Sequence, residues 1–288
     1  MQAAVRTFLI ACMLAMASFH QAGAATAAEL AGSPKPDGTP VTLPGPDIAL
    51  DGVLYRPDGP GPFPAIVALH GCEGLRRHMG ERDRAWARHL TDSGFVVLFP
   101  DSFGSRHLGS QCRVRRRLVS SSRERVADAN AALRWLQAQS FVKPDRVSLL
   151  GWSNGASTVL WTVRRASGPE EPRNTDFRTA VALYPGCRRS HATAWSARVP
   201  TLVLIGAKDD WTPASACEQM IAGARGRSAQ VAIVVYRGAY HGFDHPSRPL
   251  REVKRVARSA DGSGTVHVGT DTAARADALK RVLAWLAR

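Results

Sequence analysis

The most constraining stretch of the chain is residues 146–156, which read RVSLLGWSNGA. An apolar run of strand length, 147–150, is followed directly by the pattern Gly-x-Ser-x-Gly, with Ser153 at its centre. A serine at so sharp a strand-to-helix turn needs residues without side chains two positions before and after it, and Gly151 and Gly155 meet that need. The pattern therefore predicts a strand, a nucleophilic serine and a helix, in that order.

The residues downstream support this interpretation over its alternative, a serine in an ordinary glycine-rich turn. A catalytic serine needs a base to take its proton and an acid to orient that base, and both belong on loops after later strands. Asp209 follows one later apolar run and is the preferred acid, with Asp210 as the alternative. His241 follows the next run and is the predicted base, whereas His245 is interpreted as an exposed loop histidine.

An earlier apolar run, 65–69, ends in the glycine-bearing sequence HGCEG at residues 70–74. A loop of this kind at the carboxyl end of a central strand can carry a backbone N–H donor for an oxyanion. We assign that N–H to Cys72, and the second donor to Asn154, which opens the helix after the serine. His70 is expected to brace the loop by hydrogen bonding.

Apolar runs alternate with helical patterns along the chain, which predicts an α/β fold with a mostly parallel central sheet and helices on both faces. Of the 288 residues 44% are hydrophobic, which suffices for one large core and a single domain. The predicted buried strands are 65–69, 95–99, 147–150, 178–184, 200–205 and 230–236, and the predicted last helix is 271–288.

Residues 1–24 have the pattern of a secretory signal peptide. A positively charged start is followed by an apolar stretch, 8–19, that is too short for a stable membrane anchor. Small residues at 22–24 form a cleavage site, with 25–27 as the alternative. We therefore expect a mature domain over 25–288 without a membrane span, located in the periplasm or secreted.

Four cysteines lie beyond the leader, an even number for an oxidising compartment, so two disulfides are expected. Four cysteines allow three pairings, and buried free thiols are the alternative. The four are Cys72, Cys112, Cys187 and Cys217. Because the chain has no C-x-x-C pattern, which zinc sites ordinarily use, we predict no metal site, and we expect no cofactor.

The formal charge of +14 comes from 38 basic against 24 acidic residues. The basic residues are spread along the chain and match no nucleic-acid motif, so we expect acidic substrates and no nucleic-acid partner. Arg106 lies in a basic stretch, 104–120, after a predicted strand, where it could pair with a substrate carboxylate; a solvated loop is the alternative. Trp152, beside the serine, is a second candidate for contact with substrate.

From residue 57 to the C-terminus the chain resembles the dienelactone hydrolase family of α/β-hydrolases. The motifs that carry the resemblance are HGCEG, FPDSFGSR, GWSNG, LYPGC, GAKDDWTP, AYHGF and AARADALKRVLAWL. The resemblance implies the α/β-hydrolase fold and a triad of Ser153, Asp209 and His241. It also implies a small-molecule ester or lactone as substrate, with an arginine in the loop of Arg106 that holds a substrate carboxylate.

Two positions depart from the enzymes that name the family, which use a cysteine nucleophile with a glutamate nearby. Here the nucleophile is Ser153, and Gly71 stands where that glutamate would be. A Ser-His-Asp set suits general esters and lactones, so we predict a serine esterase that works through an acyl-enzyme. One alternative is a peptidase of the prolyl-oligopeptidase-like type, although such enzymes usually carry a large additional domain. The other is a non-catalytic binding protein on the same fold.

The resemblance also bears on the cysteines, because exported members of the family carry paired-looking cysteines where Cys187 and Cys217 stand. Both residues follow strands that we expect to be neighbours, so their loops should emerge at one end of the sheet within bridging distance. The same reasoning pairs Cys72 with Cys112. The sequence does not indicate whether the protein is a monomer or an oligomer.

Overall fold

The computed structural model describes residues 38–75, 79–165 and 176–288. The predicted signal peptide, residues 1–24, lies outside these ranges. Within them, no helix is both long and apolar enough to cross a membrane.

The central sheet has eight strands, and their bounds are β1 Thr39–Pro44, β2 Ala49–Tyr55, β3 Phe63–Leu69, β4 Val96–Pro100, β5 Val142–Trp152, β6 Ala180–Leu183, β7 Thr201–Gly206 and β8 Val231–Tyr236. Their order across the sheet is β1-β2-β4-β3-β5-β6-β7-β8. All neighbours from β4 to β8 are parallel, whereas β1 and β2 pair antiparallel at one edge. The carboxyl ends of the parallel strands therefore meet along one side of the molecule.

The central strands read as unbroken apolar runs because the sheet is covered by helices. Every residue of β4, β6 and β7 is buried. The flanking helices are α1 Glu81–Asp92, α2 Glu124–Gln137, α3 Asn154–Thr162, α4 Arg188–Ala192, α5 Ala214–Gly223 and α6 Thr272–Leu286. Helix α2 packs against β5, and α3 packs against β5 and β6. The predicted α/β architecture, a mostly parallel sheet flanked by helices, is confirmed.

A short antiparallel hairpin, β9 Arg251–Val253 and β10 Val266–Val268, lies between β8 and α6. It was not predicted, because each strand has only three residues, which is too few to establish a period in the sequence. Backbone N–H groups in and beside the hairpin donate to the carbonyl oxygens of Cys112, Asp210 and His241. The hairpin is thus tied to three loops at the carboxyl end of the sheet.

Two disulfides brace the same end of the sheet. The Sγ atoms of Cys72 and Cys112 are 2.02 Å apart, and those of Cys187 and Cys217 are 2.03 Å apart. These are the two pairs that the sequence favoured. The first joins the loop after β3 to the loop after β4, and the second joins the segment after β6 to α5.

Candidate active site

Ser153 lies at the sharp turn between β5 and α3. Its backbone has φ 53° and ψ −112°, an uncommon conformation for a residue with a side chain. A Cβ atom on Gly155 would lie 2.1 Å from the carbonyl oxygen of Leu69, and one on Gly151 would lie 2.7 Å from the Gly155 backbone. Close backbone contacts therefore require both glycines of the motif.

Ser153, His241 and Asp209 form a continuous hydrogen-bonded chain. Oγ of Ser153 lies 2.9 Å from Nε2 of His241, and Nδ1 of His241 lies 2.8 Å from Oδ2 of Asp209. The histidine and the aspartate are buried, at 4% and 3% exposure, while the serine is half-buried. A hydroxyl, a base within proton-transfer distance and a buried acid that orients the base can together generate an oxygen nucleophile.

The loop after β7 fixes the orientation of the Asp209 carboxylate. Its Oδ1 accepts hydrogen bonds from the backbone N–H groups of Trp211, at 3.0 Å, and Thr212, at 2.8 Å. The Thr212 hydroxyl lies 2.9 Å from Oδ2 of Asp209 and 3.2 Å from Nδ1 of His241. Thr212 was not predicted to belong to this site, because only the folded turn brings its hydroxyl back to the carboxylate.

The two alternatives that the sequence left open, Asp210 and His245, lie outside this chain of hydrogen bonds. Oδ2 of Asp210 is 2.7 Å from Nδ1 of His267, and its Oδ1 accepts from the His267 backbone N–H at 2.9 Å. Asp210 therefore anchors the hairpin. His245 is 8% exposed, so the expectation of an exposed loop histidine is wrong. The hydroxyl of Thr270 donates to the His245 carbonyl and holds that loop against the domain.

The predicted oxyanion donors, the backbone N–H groups of Cys72 and Asn154, lie on the two segments that flank Ser153. Asn154 is the first residue of α3, so its N–H has no acceptor within the helix, and the helix dipole adds positive potential there. The loop of Cys72 passes close to the serine, since a Cβ atom on Gly71 would lie 3.7 Å from Cβ of Ser153. Both donors are thus near the serine.

A buried arginine that the sequence did not single out connects these two segments. Arg125, on α2, is fully buried; it donates to Oδ1 of Asn154 at 2.6 Å and to the carbonyl oxygen of His70 at 2.9 Å. Burial lowers the pKa of its guanidinium to about 9. Nδ1 of His70 lies 2.8 Å from the Gly71 carbonyl oxygen, so His70 contacts its own loop. Burial and then the charge of Arg125 lower the His70 pKa well below its ordinary value.

Arg106 does not reach the site, and the prediction that it binds substrate is wrong. A short 3-10 turn, Gly104–Arg106, follows β4, and both terminal nitrogens of the guanidinium pair with the carboxylate of Asp128 on α2, at 2.9 and 2.8 Å. Asp128 has no exposed surface, so the arginine neutralises a buried charge. Arg106 lines neither of the cavities beside Ser153.

Trp152 is also out of reach of a substrate, which corrects the second predicted contact. Its side chain is fully buried because it is the last residue of β5 and packs into the core. Its Nε1 donates to Asp244 at 2.8 Å, and the same carboxylate accepts from Trp86 at 2.7 Å and from the hydroxyl of Tyr184 at 2.7 Å. The Tyr184 ring lies 4.6 Å from the ring of His241, so this cluster supports one side of the histidine.

Two cavities meet at Ser153. The first, of about 420 Å³, is lined by His241 and is called the histidine cavity. The second, of about 530 Å³, is lined by Asn154 but not by the histidine and is called the arginine cavity. Arginines line both: Arg82, Arg113, Arg248 and Arg251 the histidine cavity, and Arg115, Arg117, Arg188, Arg189 and Arg258 the arginine cavity. Only three of these nine arginines, Arg113, Arg115 and Arg117, lie in the basic stretch 104–120 that the sequence analysis identified. The others come from distant parts of the sequence.

Comparison with known sequences assigns a family. Residues 50–288 match the model of the dienelactone hydrolase family. A Bradyrhizobium sp. protein named "Probable 2-oxo-3-(5-oxofuran-2-ylidene)propanoate lactonase" is 22% identical over 206 residues, which are 66% of this chain and 77% of that protein. A Synechocystis sp. protein assigned as a carboxymethylenebutenolidase is 25% identical over 217 residues, which are 71% of this chain and 85% of that protein.

Solved structures show the same fold. Esterase 2 of Thermogutta terrifontis superposes with a TM-score of 0.62 at 18% identity, and the match covers 88% of this chain and 96% of that chain. At such low identity this likeness concerns the fold, whereas the family model matches most of the sequence itself. The chain belongs to the dienelactone hydrolase family.

Proposed function

We propose that this protein hydrolyses a carboxylic ester or lactone through an acyl-enzyme on Ser153. The observation that carries the proposal is the hydrogen-bonded chain from Ser153 through His241 to Asp209, which lies where two cavities meet. Membership of the dienelactone hydrolase family and relatives named as a lactonase and a carboxymethylenebutenolidase support the same reaction class.

In the first half-reaction, Nε2 of His241 takes the hydroxyl proton while Oγ of Ser153 attacks the carbonyl carbon. The carbonyl electron pair moves onto oxygen, and the N–H groups of Cys72 and Asn154 stabilise the oxyanion. The tetrahedral adduct then collapses: the bond to the leaving alcohol oxygen breaks, and the imidazolium gives its proton to that oxygen. Asp209 orients the imidazole throughout and stabilises its charged form.

In the second half-reaction, water replaces the alcohol. His241 takes a proton from the water, which attacks the acyl carbon, and the second adduct collapses to the free acid and the regenerated hydroxyl of Ser153. With a lactone, the alcohol stays tethered to the acyl group, so a single hydroxy acid is released. Because His241 must protonate the leaving oxygen and lines only the histidine cavity, the leaving group occupies that cavity.

We propose further that the substrate is anionic, although not on account of Arg106. Arg248 and Arg251 line the histidine cavity. They lie on the segment after His241, within reach of the leaving group in the arrangement described above. A guanidinium recognises a carboxylate through two parallel hydrogen bonds, which gives both affinity and orientation.

We propose that the protein is exported, with residues 1–24 as a cleaved signal peptide. Two disulfides support an oxidising compartment. N-terminal sequencing of protein recovered from the periplasm and the medium of expressing cells tests this, and a mature chain that retains residue 1 would contradict it.

A panel of nitrophenyl esters of varied chain length and charge, run beside lactones and nitroanilide amides, tests the proposed reaction. We expect turnover of esters or lactones and labelling of Ser153 by a fluorophosphonate. Faster cleavage of amides than of matched esters would instead favour a peptidase. Failure of both turnover and labelling would favour a non-catalytic binding protein on this fold.

A further inference from the structure

The arginine cavity has an unusual balance of charge. Five arginines line it, and none of its lining residues is an aspartate or a glutamate; the five are Arg115, Arg117, Arg188, Arg189 and Arg258. Hydroxyl groups lie among them, on Ser120, Ser121, Ser157, Thr212 and Ser259. Guanidinium and hydroxyl groups are the donors that bind oxyanions in proteins.

Within the described part of the chain, these arginines form no ion pair that would neutralise them. Nε of Arg117 donates to the neutral carbonyl oxygen of Gln111 at 3.0 Å, and Arg188 donates to that of Ala260 at 2.9 Å. Burial, and next the charge of Arg258, lower the pKa of the Arg117 guanidinium. Arg117 and Arg258 thus line one cavity whose described lining holds no carboxylate.

Three separate segments bring these arginines together. Arg115 and Arg117 lie on the loop after β4, Arg188 and Arg189 on α4, and Arg258 within the hairpin segment. The Cys72–Cys112 and Cys187–Cys217 disulfides hold the first two segments, and the Ala257 N–H donates to the Cys112 carbonyl oxygen at 2.9 Å. The fold thus holds like charges close together at a cost in Coulomb energy, and a bound anion would remove that cost.

The position of the base determines which half of the substrate enters this cavity. The leaving oxygen must lie beside His241, which lines the histidine cavity only. With the carbonyl carbon at Ser153, the acyl group then extends into the arginine cavity. We infer that the arginine cavity is a subsite for an acyl group whose far end carries an oxyanion, either a carboxylate or a sulfate or phosphate ester.

This inference rests on the proposed function, and a matched pair of substrates tests it. The mono-nitrophenyl ester of a long dicarboxylic acid carries a free carboxylate on the acyl side. The neutral control is the same nitrophenyl ester with that carboxylate converted to a methyl ester. We expect wild type to prefer the charged ester in kcat/KM, and Arg117→Gln or Arg258→Gln to reduce that preference about tenfold. Arg116→Gln and Arg255→Gln are matched controls, exposed arginines on the same two segments that line neither cavity.

A second pair places the charge on the leaving group, as a carboxyphenyl ester and its methyl carboxylate. If the two cavity variants affect this pair as strongly as the first, or if all four variants keep the wild-type preference, the assignment of the acyl subsite is wrong. A wild type that hydrolyses the charged ester and its neutral control at equal rates would overturn it as well.

Binding of inorganic sulfate to the Ser153→Ala protein separates this inference from the proposed reaction, because it needs no turnover. Sulfate should raise the melting temperature of Ser153→Ala protein, and should do so less when Arg258→Gln is added. Without sulfate, the Arg258→Gln change should not lower the melting temperature, since it removes a like charge near Arg117. Equal stabilisation by sulfate with and without Arg258→Gln would refute the anion subsite, whether or not the enzyme hydrolyses esters.

Discussion

The serine at the turn after β5 can be tested by removing a single oxygen. Ser153→Ala deletes Oγ, which lies 2.9 Å from the His241 imidazole, and leaves the backbone of the turn as it is. We expect kcat/KM for esters to fall roughly 10⁴-fold or more, because the covalent pathway is lost. Circular dichroism should be unchanged and fluorophosphonate labelling should vanish. Near-wild-type turnover would exclude Ser153 as the nucleophile.

Two histidines on one loop offer a matched comparison. His241→Ala removes the group that joins Ser153 to Asp209, so activity should fall nearly as far as in the serine variant. His245→Ala should lower kcat/KM by less than about tenfold, because His245 has no hydrogen bond to the triad. The reverse order of effects in steady-state kinetics would mean that the base has been misassigned.

Arg125 provides a test of a positioning residue. Its guanidinium holds Asn154 and the carbonyl of His70, and so fixes the two segments that carry the proposed oxyanion donors. Arg125→Met should lower kcat about tenfold to hundredfold with little change in KM, because the donors act mainly in the transition state. Arg125→Lys should restore part of the loss. A rise in KM alone would contradict this role. A boronate inhibitor mimics the tetrahedral adduct, so an affinity for it that falls no further than the affinity for substrate would contradict the role as well.

At the residue scale, the sequence predicted what is close in sequence or fixed by chain order. The glycines around Ser153 and the Asp-then-His order predicted Ser153, Asp209 and His241, which the structure joins by hydrogen bonds. The predicted substrate contacts of Arg106 and Trp152 were wrong, because each side chain binds a carboxylate distant in sequence. These carboxylates are Asp128 and Asp244. Nothing in a basic loop shows that a buried carboxylate on another helix already pairs with its arginine.

Two disulfides stabilise the elements around the site, and they join different segments. Cys72–Cys112 spans 40 residues and fixes the loop that carries a proposed oxyanion donor, while Cys187–Cys217 spans 30 and fixes α5 to the segment after β6. Replacing either pair with serines should lower the free energy of unfolding by about 3–4 kcal/mol. Only loss of Cys72–Cys112 should also lower kcat for a neutral ester.

Denaturant titration and kinetics on both double variants measure this difference. An equal fall in kcat for the two pairs would show that the disulfides act on stability alone. If neither pair alters kcat, the oxyanion loop keeps its position through other contacts, such as the hydrogen bond from the Gln111 N–H to the Cys72 carbonyl.

At the element scale, strands and helices were predictable wherever burial imposes a period on the sequence. The apolar runs of β3 to β7 record a sheet covered on both faces. The hairpin of β9 and β10 carries no such pattern, because long-range bonds hold it, including the contact between Asp210 and His267. Because the hairpin was not predicted, the part of the arginine cavity that its segment lines was not predicted either.

The charge of the whole molecule should govern how it meets its substrates. The full chain carries a formal charge of +14, and nine arginines line the two cavities at Ser153. Low-dielectric walls around such clefts focus the potential and raise the encounter rate with anions. Raising the ionic strength from about 0.01 M to about 1 M shortens the Debye length from about 30 Å to about 3 Å.

Over that range kcat/KM for an anionic ester should fall at least about tenfold, whereas kcat/KM for its neutral methyl ester should change little, because only the anion is attracted over a distance. Measuring both esters in the same salt series separates steering from a general effect of salt on the fold. Parallel curves for the two esters would show that the positive charge does not speed substrate capture. The electrostatic field of the arginines at the cavities would then have no effect on free substrate.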